Sequence, residues 1–342
     1  MRRSRGQQIG YVAALAACFL VAMAAGWTTI GVQLDNNAYD FLFRLHGRPA
    51  PDPESALLAI DERTLMEMGG MRRVRSIVAG GLERIAAVGP KAVVVDLILA
   101  DEGDATEDAR LEAAFARTPN LALACDLILG GWEDPLPRFR RSAAAVGHVH
   151  ADPDPLDNVT RRIPLEKASP LDRRWALALE ALRLARGADA ILETPRGLEV
   201  DGDFIPAPRR GMDSRSMLVR YFERPEGARA SLPSVSFLDL ESDPEAAETL
   251  RGKVVFVGVT AQSAADDRHM TPHSGGRQIP GVEIHASAFE TMARGAFLEP
   301  VSDSLVLLFC LALAVAAGLT FAFQAGWRAY LTGALLLGAY FA

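Results

Sequence analysis

The two ends of this chain contain no acid. Residues 1–34 and 304–342 hold neither Asp nor Glu, so all 43 acidic residues lie between Asp35 and Asp303. Only four bases fall outside that span, Arg2, Arg3, Arg5 and Arg328. That leaves 32 of the 36 basic residues against 43 acids in the middle, an excess of 11 negative charges. A region with this balance repels phosphate backbones, which excludes nucleic acid as a partner. Cysteine is scarce: Cys18 and Cys310 sit in apolar stretches and Cys125 is alone in the middle region. No disulfide can form within that region, so its stability has to come from its core. Catalytic signatures are missing as well. There is no Gly-x-Ser-x-Gly, no His-Glu-x-x-His and no cysteine with a nucleophile's partner, so neither an enzyme nor a cofactor is expected.

What is present at the ends is apolar. Ile9 to Ile30 is an uncharged run of 22 residues, about 33 Å of helix, enough for a hydrocarbon core of about 30 Å. Arg2, Arg3 and Arg5 precede it and place residues 1–8 in the cytoplasm by the positive-inside bias. Its length favours an uncleaved anchor over a signal peptide cut near Ala22-Met23-Ala24. Ser304 to Phe323 is a second uncharged run, which returns the chain to a cytoplasmic loop at 324–328 with Arg328 on the expected side. Residues 329–342 are apolar again but too few to cross, so they read as the start of a third membrane helix that the sequence cuts short. The expected partner of the ends is the lipid bilayer of an inner membrane. Residues 31–303 are expected to form a domain outside the cytoplasm.

The middle region alternates. Ala56–Ile60, Ala92–Ile98 and Leu121–Ile128 are short apolar strands, separated by helices over Ser76–Val88 and Thr106–Ala116. Later come a strand at Val146–His150, a helix at Trp175–Ala185, a hairpin over Leu198–Pro206, strands at Met217–Tyr221 and Lys253–Val259, and a helix at Val282–Ala293. Strand alternating with helix predicts an α/β fold with a mostly parallel sheet covered by helices, here flanked by transmembrane helices. Leu34, Ala38, Phe41, Leu42 and Leu45 recur at helical spacing and predict an amphipathic continuation of the first membrane helix.

The order of these segments resembles the CHASE-two family of extracellular sensory domains associated with cyclases and histidine kinases. The matching blocks are Tyr39-Asp-Phe-Leu-Phe-Arg44, Ala59-Ile-Asp-Glu62, Val93-Val-Val-Asp96, Gly147-His-Val-His150, Val159-Thr-Arg-Arg-Ile-Pro164, Gly252-Lys-Val-Val-Phe-Val-Gly-Val-Thr-Ala261, Thr271-Pro272 and Pro280-Gly-Val-Glu-Ile-His285. Two places depart from the family's pattern. Met71-Arg-Arg-Val-Arg75 stands where a Pro/Trp-rich segment is usual, and Asp152-Pro-Asp-Pro155 carries a proline where a glycine is common. The resemblance implies a receptor, working as a homodimer, that passes an outside ligand's signal to a cytoplasmic cyclase or kinase. The rival classes are a membrane-anchored hydrolase and a structural dimerisation domain.

Position in the chain singles out candidate ligand-binding residues. Asp61 and Asp96 each end an apolar strand, at the carboxyl edge where open α/β sheets bind ligands, or else cap the next loop or helix. Thr260 lies in the Gly258–Ala261 turn, whose backbone N–H groups could face an anion. Arg75, with Arg72 and Arg73, precedes a helix start and could grip an anion there, or be a solvated loop. Asp266 and His285, with Asp267, His269 and His273, could gather around a divalent metal or form a polar loop. Thr271-Pro272 interrupts the helix that His-x3-His needs, so no metal is expected.

Overall fold

The computed structural model describes residues 5–209, 215–264, 267–274, 276–324 and 326–341. Two compact units divide the chain: Met1–Ala38 with Glu299–Ala342, and Tyr39–Leu298. The helices in chain order are α1 (Arg5–Gly26), α2 (Thr29–Leu45), α3 (Glu62–Met68), α4 (Val74–Ile85), α5 (Ala105–Ala116), α6 (Pro137–Arg140), α7 (Leu177–Arg186), α8 (Phe237–Ser242), α9 (Pro244–Glu248), α10 (Gly281–Ala293), α11 (Asp303–Phe323) and α12 (Trp327–Phe341).

The larger unit is built on a sheet of β1 (Ser55–Ile60), β2 (Ala92–Asp96), β3 (Leu121–Ile128), β4 (Gly131–Glu133), β5 (Ala145–His148), β6 (Ser234–Ser236) and β7 (Val254–Val259). Its order is β6-β1-β7-β2-β3. The first half of β3 pairs in parallel with β5, and its second half folds back antiparallel to β4. Every other pairing in the sheet is parallel, and β7 lies at its centre. The mostly parallel α/β sheet anticipated from the alternating pattern is therefore the fold.

The strands are continuously apolar because both faces are covered. Leu57, Val94 and Phe256 pack with Leu179 of α7 and with Ile284 and Phe289 of α10. Their neighbours Leu58, Val93, Val255 and Val257 point the other way, against Ile77 and Leu82 of α4, Phe115 of α5 and Phe237 of α8. The two faces alternate with the period of two that a strand imposes. α10 is buried from Gly281 to Met292, and its acids are tied to backbone. Glu290 Oε1 accepts from Ser55 N (2.6 Å) and Ser55 Oγ (2.7 Å), and Glu283 Oε1 accepts from Ser231 N (2.8 Å). Short strands such as β6 and the Glu166–Ala168/Arg173–Trp175 pair lie outside the pattern read from sequence, because three residues carry no periodicity.

In the smaller unit, two helices are long and apolar enough to cross a membrane, over Ile9–Gly26 and Asp303–Phe323. Tyr11 OH donates to Gly318 O (2.8 Å), and Gly318 lies against Leu15. The uncharged run read as one span from Ile9 to Ile30 is interrupted. α1 stops at Gly26 and α2 begins at Thr29. Thr28 Oγ1 donates to Ala25 O (2.6 Å) and accepts from Gly31 N (3.2 Å), a local cap that competes with the helical ladder. Gly31 is required there, since a Cβ would stand 2.3 Å from Ala25 O.

Candidate functional site

β1, β7 and β2 end side by side, with Ala59, Gly258 and Asp96 in register. A cleft of about 630 Å³ opens at this carboxyl edge, the position at which parallel sheets present ligand sites. Asp61, at the end of β1, lies on one wall and is also the N-cap of α3. Its Oδ1 accepts from Thr64 N (2.9 Å), Thr64 Oγ1 (2.8 Å) and Ser236 Oγ (2.9 Å), and its Oδ2 pairs with Arg229 (3.1 Å). Burial pushes its pKa up, but these hydrogen bonds and the Arg229 charge outweigh that and hold it below the usual range. The structure shows the cap, and the same side chain lines the cleft. Thr260 lines the same cleft. The amides of Thr260 and Ala261 both donate to Ile60 O (3.0 and 3.2 Å), so neither N–H is offered to an anion.

The opposite wall is the two-stranded hairpin Arg268–His269/Ile279–Pro280 and the start of α10. Arg268 donates to Thr260 O (3.3 Å) and Gln278 O (2.9 Å). Asp267 O accepts from Gly281 N (3.1 Å), and the Asp267 carboxylate lies where a Cβ on residue 281 would be 2.1 Å away. A side chain at that first position of α10 would displace the Asp267 carboxylate from His269.

Asp96 and His285 belong to a buried polar cluster instead of the cleft lining. His285 Nε2 lies 3.2 Å from Val149 O, and His269 bridges Asp267 (3.1 Å) and Thr160 (3.3 Å). Asp96 Oδ2, His148 Nε2 and His285 Nδ1 are buried and find no hydrogen-bond partner among the described residues. Burial raises the pKa of Asp96 well above the carboxylate range, with the Asp267 charge adding to it. Burial likewise depresses His148 well below its usual value and His285 to about 4. His269, His273 and His285 do not gather around one point, for His273 stacks edge-on against Phe43 with ring centroids 4.9 Å apart. Among the described residues, no group of three or more His, Cys, Asp or Glu is arranged to hold a metal ion.

Arg75 lies elsewhere. It pairs with Asp108 in the first turn of α5 (3.0 Å) and donates to Asp101 O, while Arg73 pairs with Glu107 (3.1 Å). α4 starts at Val74, so Arg75 lies in its first turn and does not precede it as the sequence suggested; with Arg73, the N-cap, it binds the acidic start of α5. Asp266 lies outside the described residues. Two linkages have no signal in a single sequence. Arg161 is buried and takes both Asp40 of α2 (2.8 and 2.7 Å) and Asp157 (3.0 and 2.7 Å). Arg44 of α2 donates to Pro272 O (3.1 Å) at the tip of the cleft hairpin. Asp40 and Arg161 each stand in a block that carries the family resemblance, but only the fold shows that they meet.

No curated protein and no solved structure matches the chain. The family model of the CHASE2 domain, an extracellular sensory domain, matches residues 13–320. That match takes in the sheet, the cleft at its carboxyl edge and most of α1 and α11, and with nearly its whole length covered the chain belongs to the CHASE2 domain family.

Proposed function

We propose that this chain is the extracytoplasmic signal-sensing region of an inner-membrane receptor, and that it regulates a cytoplasmic adenylate or guanylate cyclase or kinase. The observation that carries the reading is the carboxyl-edge cleft, which is lined by charged side chains and whose hairpin wall contacts α2. Its hairpin wall carries Arg268 and Arg277 on the cleft side. The hairpin's tip holds α2 through the Arg44–Pro272 hydrogen bond and the Phe43–His273 contact. A ligand can bias such a linkage only by its differential affinity for two arrangements of the hairpin. In this reading α1 and α11 cross the bilayer, with residues 31–303 outside. A reporter active only outside the cytoplasm is expected to be active when fused after Glu299 and silent when fused at Gly326; the reverse pattern overturns the topology.

The partner we propose for α2 is a second copy. Leu34, Ala38, Phe41 and Leu45 succeed one another at spacings of four, three and four, the seam of a coiled coil. Leu34, Phe41 and Leu45 are exposed by 63, 60 and 66%, while Asp40 of the same helix is buried against the domain. A Leu45→Cys variant in a Cys18→Ser background is expected to form a disulfide-linked dimer in intact membranes. A chain that stays monomeric under oxidation, while a glutaraldehyde-treated control also shows no dimer, rules the homodimer out.

A further inference from the structure

We infer that the cleft binds a small anionic molecule bearing carboxylate or phosphate groups, gripped by Arg224, Arg268 and Arg277. This rests on the reading of the cleft as the recognition site. Two facts about how charge is distributed around the cleft support it. First, the acids there are already engaged. Asp61 accepts from Thr64, Ser236 and Arg229, and Glu283 accepts from the amide and hydroxyl of Ser231. Glu62 accepts from Ser263 N (3.3 Å). Second, the arginines are not. Among the described residues, Arg224, Arg268 and Arg277 form no ion pair, and the only hydrogen bonds their side chains make are those of Arg268 to two carbonyls. Elsewhere on the same domain Arg174, Arg186 and Arg215 each hold a carboxylate. Arg229 is the one cleft arginine that does so, through Asp61 and Asp239.

Three guanidinium groups around one cleft, none of them in an ion pair among the described residues, repel one another. Burial, with Arg277 and Arg224 adding to it, lowers the pKa of Arg268 against the pull of Glu283. An anion entering the cleft relieves that repulsion, and each planar guanidinium fork matches the two oxygens of a carboxylate or phosphate. With the amides of Thr260 and Ala261 already used by Ile60 O, the arginines are the charged donors left for recognition. The domain as a whole is acidic, so the site selects anions by local geometry and not by long-range attraction. The shared ligand chemistry is anionic oxygen, and the two sources are separable by experiment.

Inorganic phosphate and citrate, titrated calorimetrically into the purified full chain in detergent, are the two probes, with glucose as a neutral one. One of the two anions is expected to bind at one per chain, and which of them binds separates phosphate from carboxylate recognition. The double variant Arg224→Gln/Arg277→Gln is expected to weaken binding by tenfold or more, as loss of charge-assisted hydrogen bonds does. Arg251→Gln, which touches only Glu248 on the surface, should leave binding unchanged. Thermal melts of both variants check that they fold. No binding of either anion, or binding that the double variant retains, overturns the anion assignment. If glucose binds instead and is lost on Thr260→Arg, the cleft remains the recognition site and only the ligand class is wrong. A probe that stabilises every cleft variant equally removes the site as well.

Discussion

Replacing Arg161 with methionine is expected to destabilise the larger unit by about 3–5 kcal/mol, the range for removing one member of a buried charge pair. The reason is the charge left behind. Arg161 is 7% exposed and Asp40 8%, and the guanidinium uses four hydrogen bonds to hold two carboxylates. Without it, the Asp40 carboxylate loses both guanidinium hydrogen bonds in a poorly hydrated site. Methionine fills the stem's volume, so the cost is electrostatic and not a cavity. For a unit of this size the loss corresponds to a fall in melting temperature on the order of 10 °C, measured on the chain in detergent. Replacing both sides, Arg161→Met with Asp40→Leu, should recover part of the loss, because the buried Asp40 charge is then removed with its partner. A loss below about 1 kcal/mol in the single variant, the scale of an exposed ion pair, contradicts this account. The same pair ties α2 to the domain, so in the receptor reading proposed above the single variant should also blunt any response of a cytoplasmic effector to the cleft's ligand.

That link shows where sequence reading stops. The strands of the sheet were legible because a strand covered on both faces must be apolar throughout, and Val93-Val-Val-Asp96 and Val254–Val259 are. Once the strands run parallel, Asp61 and Thr260 fall at one edge by geometry alone. The arginines of the cleft were not legible. Arg224, Arg268 and Arg277 stand in turn-rich segments without periodicity, and nothing local distinguishes them from solvated charges. Arg75 shows the converse: it looked like an anion grip because the sequence places it before a helix, and the acids it meets, Asp108 and its neighbour Glu107, belong to the next helix along. Arg161 and Asp40 are 121 residues apart, and only the folded chain brings them together. The break at Trp27–Thr28 was hidden for a different reason. Hydropathy counts apolar residues, whereas Thr28 ends the helix through a hydrogen bond that hydropathy does not register. In the receptor reading proposed above, a connector with a break at that point would transmit motion less stiffly than one continuous helix, so the coupling would rest on the contacts of Asp40, Phe43 and Arg44.

Acid should destabilise the larger unit through its buried histidines, and their environment sets the direction. His285 has an ordinary value of 6.5 and is depressed to about 4 by burial, with Asp267 pulling it up and His269 and His150 pushing it down. His148 is depressed for the same reason, next to His150, His285 and Lys167. A depressed histidine stays neutral in the fold while the unfolded chain takes up the proton. Above pH 6.5 it therefore has no effect, and stability falls as the pH drops from 6.5 toward 4. The slope for one such group is at most about 1.4 kcal/mol per pH unit, or roughly 3 kcal/mol for His285 across its window. Asp96 acts in the opposite sense. Its pKa is raised by burial and by Asp267 above an ordinary value of 3.8, so the fold keeps it protonated where the unfolded chain ionises, and its contribution grows as the pH falls toward that value. Two histidines oppose one aspartate, and the expected balance is a loss of stability in acid. Denaturant midpoints taken between about pH 7.5 and 5, the range in which an ordinary histidine titrates, should therefore fall. The fall should be less steep for His285→Gln and steeper for Asp96→Asn, whose amide removes the opposing proton. If His285→Gln shows the same acid dependence as the parent chain, the buried imidazole is not what the fold protects from protonation, and the cluster at the carboxyl edge must be held by other charges.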